Sequence, residues 1–315
     1  MQYIKLIEHE EFEDDFNIRI EKINRQSQKY IKDTIQIIDK EIGTENVVSI
    51  ILFGSQTAKK NGVKECTTVS DCDLLVIFKD NVPNHLIKKV EKYIIALEDK
   101  HNFRELNSNN NFFDKILDVI HQTTGMFISH FLTKRQYWES IIFHKIFSVN
   151  KLFSTLFAPK KIVLCSIIAN SNVIYGLDLR EIVNKNVKIS PFDMIKSLVM
   201  NLVISLSTIP ISRLRYLNFM KYLLEAVKWS LRASNYYSFV DSPPLKEIIR
   251  RFTLLERSKG SKRRATIFYK RFLELRQYPR SDLGFMFRCP FRILKIHIKS
   301  ILFKKIIRKK SRIKD

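Results

Sequence analysis

Two carboxylates and a glycine-serine pair set the chemistry open to this 315-residue chain. Asp71-Cys72-Asp73 opens an apolar run, Leu74-Leu75-Val76-Ile77-Phe78, and Gly54-Ser55 closes an earlier one over residues 47–53. Alternate residues of an extended strand share a face, so Asp71 and Asp73 stand on one side with their roots roughly 7 Å apart. Carboxylates that close repel each other unless cations sit between them. Hard oxygen donors of this kind suit magnesium. A Gly-Ser after a buried strand, with an Asp-x-Asp at the head of the next, is an arrangement for binding a nucleoside triphosphate through metal ions.

The elements that must hold these residues can be read from periodicity. Ile20, Ile23, Tyr30, Ile31, Ile35, Ile38 and Ile42 recur at three- and four-residue spacing, which predicts a helix stopped by Gly43. The β-branched run 47–53 and the run 73–78 predict buried strands. Asn84 is expected to cap a helix carrying Leu86, Val90, Ile94 and Leu97. Residues 107–111 are four Asn and one Ser, a loop, and 115–121 and 126–132 read as two more strands. A small mixed sheet with helices on it is the economical assembly. From about Thr133 onward the pattern is helical. Helices are predicted over 159–169, from Ser190-Pro191-Phe192-Asp193 onward, and over 214–234, 244–256 and 263–277; residues 172–178 read as a short extended turn. The fold class is therefore α+β: a small mixed sheet with flanking helices, then a mostly α-helical part. The boundaries fall at 1–135, 136–290 and a basic amphipathic tail, 291–315.

Gly54-Ser55 with Asp71-x-Asp73, and the apolar residues flanking both, resemble the signature of the DNA polymerase β-like nucleotidyltransferase superfamily. The resemblance spans roughly residues 45–132. It implies two magnesium ions, a nucleoside triphosphate such as ATP as co-substrate, and transfer of the nucleoside monophosphate to an acceptor hydroxyl. In that scheme Asp71 and Asp73 hold the metals. Gly54 lets the backbone approach phosphate oxygens and Ser55 supplies a hydroxyl. Such sites add a third carboxylate from a neighbouring strand, and Asp118, in Ile116-Leu117-Asp118-Val119-Ile120, is the acid inside a strand-like run there. It would share a metal and assist deprotonation of the acceptor. Fifteen residues lie between Ser55 and Asp71, more than most small-molecule members carry. The helical half resembles the HEPN-like domains that accompany minimal and aminoglycoside-type nucleotidyltransferases, on residues 222–234. Arg292 and His297 have the spacing of the ribonuclease pair of that group.

Composition narrows the partners. The chain is 45% hydrophobic and 28% charged, with a net charge of +23. Between Lys246 and Asp315 stand 23 Lys and Arg against five Asp and Glu, so the basic character belongs to the C-terminal region. That points to an anionic partner, RNA or an anionic membrane surface, and away from cationic aminoglycoside acceptors. The four cysteines are scattered, without metal-ligand spacing. No signal-peptide pattern opens the chain, and the apolar stretch 198–211 looks too short to span a bilayer, so a cytoplasmic protein without a transmembrane segment is expected. The expected activity is nucleotidyl transfer to a hydroxyl of RNA, protein or a small molecule. The alternatives are a non-catalytic RNA- or membrane-binding protein of the same fold, and a HEPN-type ribonuclease.

Overall fold

The computed structural model describes residues 19–21, 23, 25–54, 72–101, 103, 130–169, 171–211, 219–256 and 258–311. The chain forms two compact units, Met1–Ser154 with Asn170–Asn186, and Thr155–Ala169 with Val187–Asp315. The architecture is mixed α+β, one small sheet and many helices.

The first unit is built on a four-stranded sheet in the order β3-β2-β1-β4. Its strands are β1 (Val47–Phe53), β2 (Asp73–Phe78), β3 (His130–Lys134) and β4 (Asn172–Gly176). β1 is antiparallel to β2 and β4, while β2 and β3 run parallel. A parallel neighbour requires a crossover, and α2 (Asn84–Lys100) lies in it. Ile50, Leu52, Leu74, Val76, Phe78 and Leu132 form one apolar face of the sheet. Tyr30, Ile31 and Ile38 of α1 (Arg25–Glu41) and Val90, Ile94 and Leu97 of α2 pack on that face. α1 stops where the periodicity places its end: Gly43 takes a left-handed φ of +87° and its amide reaches back to Ile38 and Asp39. The opposite face carries Phe53 stacked on Phe131, which meets Phe147 just after α4 (Phe143–Ile146). Beside it α3 (Arg135–Glu139) buries Trp138, whose indole N–H donates to the Leu179 carbonyl at 2.9 Å, just before α7 (Arg180–Asn186).

Several expectations change here. Asn84 does not cap α2; it is the first helical residue, after an extended Pro83 with no side-chain cap bond. Residues 172–178 are not a turn, because β4 pairs along β1 and closes that side of the sheet. The strand expected over 126–132 runs His130–Lys134 in its described part, and the one expected over 115–121 lies outside the described residues.

The second unit is helical, with α6 (Lys160–Ala169), α8 (Pro191–Ile211), α9 (Phe219–Phe239), α10 (Leu245–Leu254), α11 (Lys259–Gln277) and α12 (Leu283–Ser311). The short α5 (Lys151–Leu156) precedes them. Leu223, Val227 and Leu231 of α9 meet Ile248 and Phe252 of α10, Phe268 and Phe272 of α11, and Ile293 and Ile296 of α12 in one core. α8 begins at a reciprocal cap. The Ser190 amide and hydroxyl donate to Asp193 Oδ2 at 2.9 and 2.6 Å, while the Asp193 amide points back to Ser190 Oγ at 3.3 Å. Because it starts at Pro191, α8 is longer than its apolar stretch suggests. Over Pro191–Pro210 it is long and apolar enough to cross a membrane by length and composition, with 33% of it buried in the protein, which corrects the expectation that it is too short. The basic tail expected from residue 291 continues a helix already running from Leu283, and Ile293 and Ile296 anchor it in the core.

Candidate active site

β1 and β2 end together at the point where the sequence places its chemistry. Phe53 is paired with Asp73 across the antiparallel ladder, so their side chains leave the sheet on the same face, the one bearing the Phe53–Phe131 stack. Immediately after Phe53 the backbone turns left-handed at Gly54, with φ +84°. A β-carbon added there would land on Asp73 Oδ2. The absent side chain is therefore what lets a partly exposed carboxylate lie against the backbone at the end of β1.

This brings Gly54 and Asp73 together. Ser55, Asp71 and Asp118 lie outside the described residues. Among the described residues, no group of three or more His, Cys, Asp or Glu is placed to hold a metal. Of the five residues, the two that are described fit a hard cation in one respect. The donor is a carboxylate rather than a soft or neutral group. The absent side chain at Gly54 is what lets that carboxylate take its place at the end of β1.

Other polar groups near the sheet serve structure. His130, the first residue of β3, points its Nδ1 at Glu98 Oε1 of α2 at 2.7 Å, and both side chains are buried. His130 lies opposite Leu74, on the face covered by α1 and α2, so this pair stands across the sheet from Asp73. The composition gives no signal of it, since Glu98 sits in an ordinary charged helix end. A shallow hollow of about 410 Å³, lined by Val47, Lys79, Asp80, Arg135 and Tyr175 among others, lies at the opposite end of β1 and β2 from Gly54.

The Arg292 and His297 pair that carried the ribonuclease alternative is turned into the core. His297 is fully buried, with Nδ1 2.9 Å from the Ile293 carbonyl and Nε2 3.2 Å from Ser197 Oγ. Burial pushes its imidazole down to about 4, against the backbone hydrogen bond, so it stays neutral and out of reach of RNA. Arg292 is held by Glu256 at 3.0 Å and lies over the Tyr269 ring. The spacing that suggested a catalytic pair is two consecutive inward turns of a core helix.

No family model matches the chain, and no curated protein matches it. Among solved structures it is similar to spectinomycin adenyltransferase AAD(9) from Enterococcus faecialis, crystallised with ATP and spectinomycin. That similarity has a TM-score of 0.48 and 11% sequence identity, and covers 87% of this chain and 98% of that one.

Proposed function

We propose that this protein is a metal-dependent nucleotidyltransferase that moves a nucleoside monophosphate from a nucleoside triphosphate to an acceptor hydroxyl. The observation that carries the reading is the Asp73 carboxylate seated against the left-handed Gly54 backbone where β1 and β2 end. Asp73 would bind a divalent cation together with Asp71, two residues earlier, and Asp118. Magnesium, when bound, supplies charge neutralisation for the triphosphate and alignment of the attacking and leaving oxygens. Gly54 would let the backbone approach phosphate oxygens, and Ser55 would donate its hydroxyl to one of them. Asp118 would accept the proton of the acceptor hydroxyl. Phe53 and Phe131 wall the same face and limit water beside the reacting atoms. The acceptor is a hydroxyl of an RNA, a protein or a small anionic molecule, in keeping with the net charge of +23.

The test is pyrophosphate release by the purified chain with magnesium and each of ATP, CTP, GTP and UTP, with and without cellular RNA. Release should fall at least about a hundredfold in Asp73→Asn. A chain that binds magnesium-nucleotide but releases nothing with any acceptor is a binding protein of this fold. Release unchanged in Asp73→Asn would remove the site assignment.

A further inference from the structure

α8 is built inside out, with apolar side chains exposed, and α12 carries an exposed apolar stripe beside it. They pack together, His297 of α12 meeting Ser197 of α8, and both pack along α9. α8 buries mainly small polar groups, Ser197, Asn201, Ser205 and Thr208, and α12 turns His297 and Ser300 inward beside the apolar Phe285, Met286, Ile293 and Ile296. The exposed surface of α8 is largely apolar, and α12 exposes an apolar stripe among basic residues. On α8, Phe192, Ile195, Val199, Val203 and Leu206 form a stripe at helical spacing. On α12, Leu283, Phe287, Phe291, Leu294, Ile298 and Leu302 form another, and Phe291 is 76% exposed. At 1.5 Å per residue the two stripes run roughly 20 and 30 Å. In water this arrangement forfeits the burial of two apolar stripes. Polar seams with apolar outer faces are what helices adopt when the outer medium is hydrocarbon.

From this inverted polarity and the charge around it, we infer that the α8–α12 face docks on an anionic phospholipid bilayer surface, lying in the interface with its phenylalanines inserted. The charge decides the occupant. Arg288 and Lys305 stand exposed along α12, Lys262, Arg263 and Arg264 are exposed on α11, and the sequence beyond continues Arg308-Lys309-Lys310. A second copy would bring the same excess of 23 basic over five acidic residues from Lys246 onward, and would be repelled. An anionic leaflet attracts that charge and accepts the apolar stripe beneath it. α8 would lie lengthwise in the interface rather than cross the bilayer, because its inner side is packed on α9 and α12.

The test is flotation of the full chain with vesicles of phosphatidylcholine alone and with a third of it replaced by phosphatidylserine. Capture should be at least about tenfold stronger on the anionic vesicles and should weaken as salt rises. Phe287→Glu with Phe291→Glu changes two exposed side chains, so folding, checked by circular dichroism and thermal unfolding, should be kept while capture is lost. No capture by wild type, equal capture on neutral vesicles, or full capture of the double variant would each overturn the proposal. Dimers in light scattering that the double variant dissolves, without vesicle capture, would assign the face to a second copy and overturn it. Retention of oligouridine without vesicle capture would assign the charge to nucleic acid, with the same consequence.

Discussion

Gly54 is the residue on which the candidate site turns. Replacing it with Ala forces an L side chain into a left-handed conformation, costing about 1–2 kcal/mol, and drives the new methyl into Asp73. Magnesium-dependent nucleotide binding, followed by calorimetry, should therefore fall far more than thermal stability does. His297 gives a second residue-scale expectation. Its folded value of about 4 lies below the ordinary 6.5, so the unfolded chain takes up the proton first as pH falls. Its contribution is complete above about pH 6.5 and erodes towards pH 4, by about 3 kcal/mol in all. Urea unfolding at stepped pH should show that slope in the wild type and lose most of it in His297→Asn. That Gly54 and Asp73 lie close was legible in the sequence, because each sits at the end of a short apolar run that reads as a strand. The burial of His297 was not, because five-residue spacing between Arg and His is the same on a wet helix and in a core.

At the scale of elements, two local devices fix the helical unit. The reciprocal cap at Ser190 and Asp193 starts α8, and Ser190→Ala should cost about 1 kcal/mol in chemical unfolding. Glu256, between α10 and α11, is the larger anchor: its carboxylate is nearly fully buried and meets Arg292 at 3.0 Å, Lys295 at 2.9 Å and Lys299 at 2.6 Å, all from α12. Burial alone would raise this acid, but those cations and the Ser261 hydroxyl hold it down at about 2. Glu256→Ala leaves three cations without their counter-charge and should destabilise by about 3–5 kcal/mol, read by urea unfolding at neutral pH. The cap was written in adjacent residues and could be read directly. β4 could not, because five residues pairing with a strand more than a hundred positions earlier carry no local signature. The near-helical spacing of the tail was visible in the sequence, but spacing is silent on which way a face points, and on α8 the apolar stripe points out.

For the whole molecule, chain order and spatial order differ. The sheet unit is left at Ser154 and re-entered at Asn170 to supply β4. A fragment ending at residue 135 lacks Trp138, Phe143, Phe147 and the strand that covers one side of β1. It should aggregate on expression, since an uncovered apolar strand edge templates further pairing. A fragment through residue 186 restores those groups and should be the more soluble of the two, as size-exclusion chromatography would show. The charge imbalance toward the C-terminus was plain from composition, because counting needs no geometry.

The pairing of Phe53 with Asp73 makes the two-strand ladder the ruler by which the site is measured. A slip of one position would swing the acid to the opposite side of the sheet and leave the glycine bend facing a leucine. Damage to the hairpin should thus register as lost ligand affinity well before the protein melts, so alignment, more than overall robustness, is what this chain has to protect.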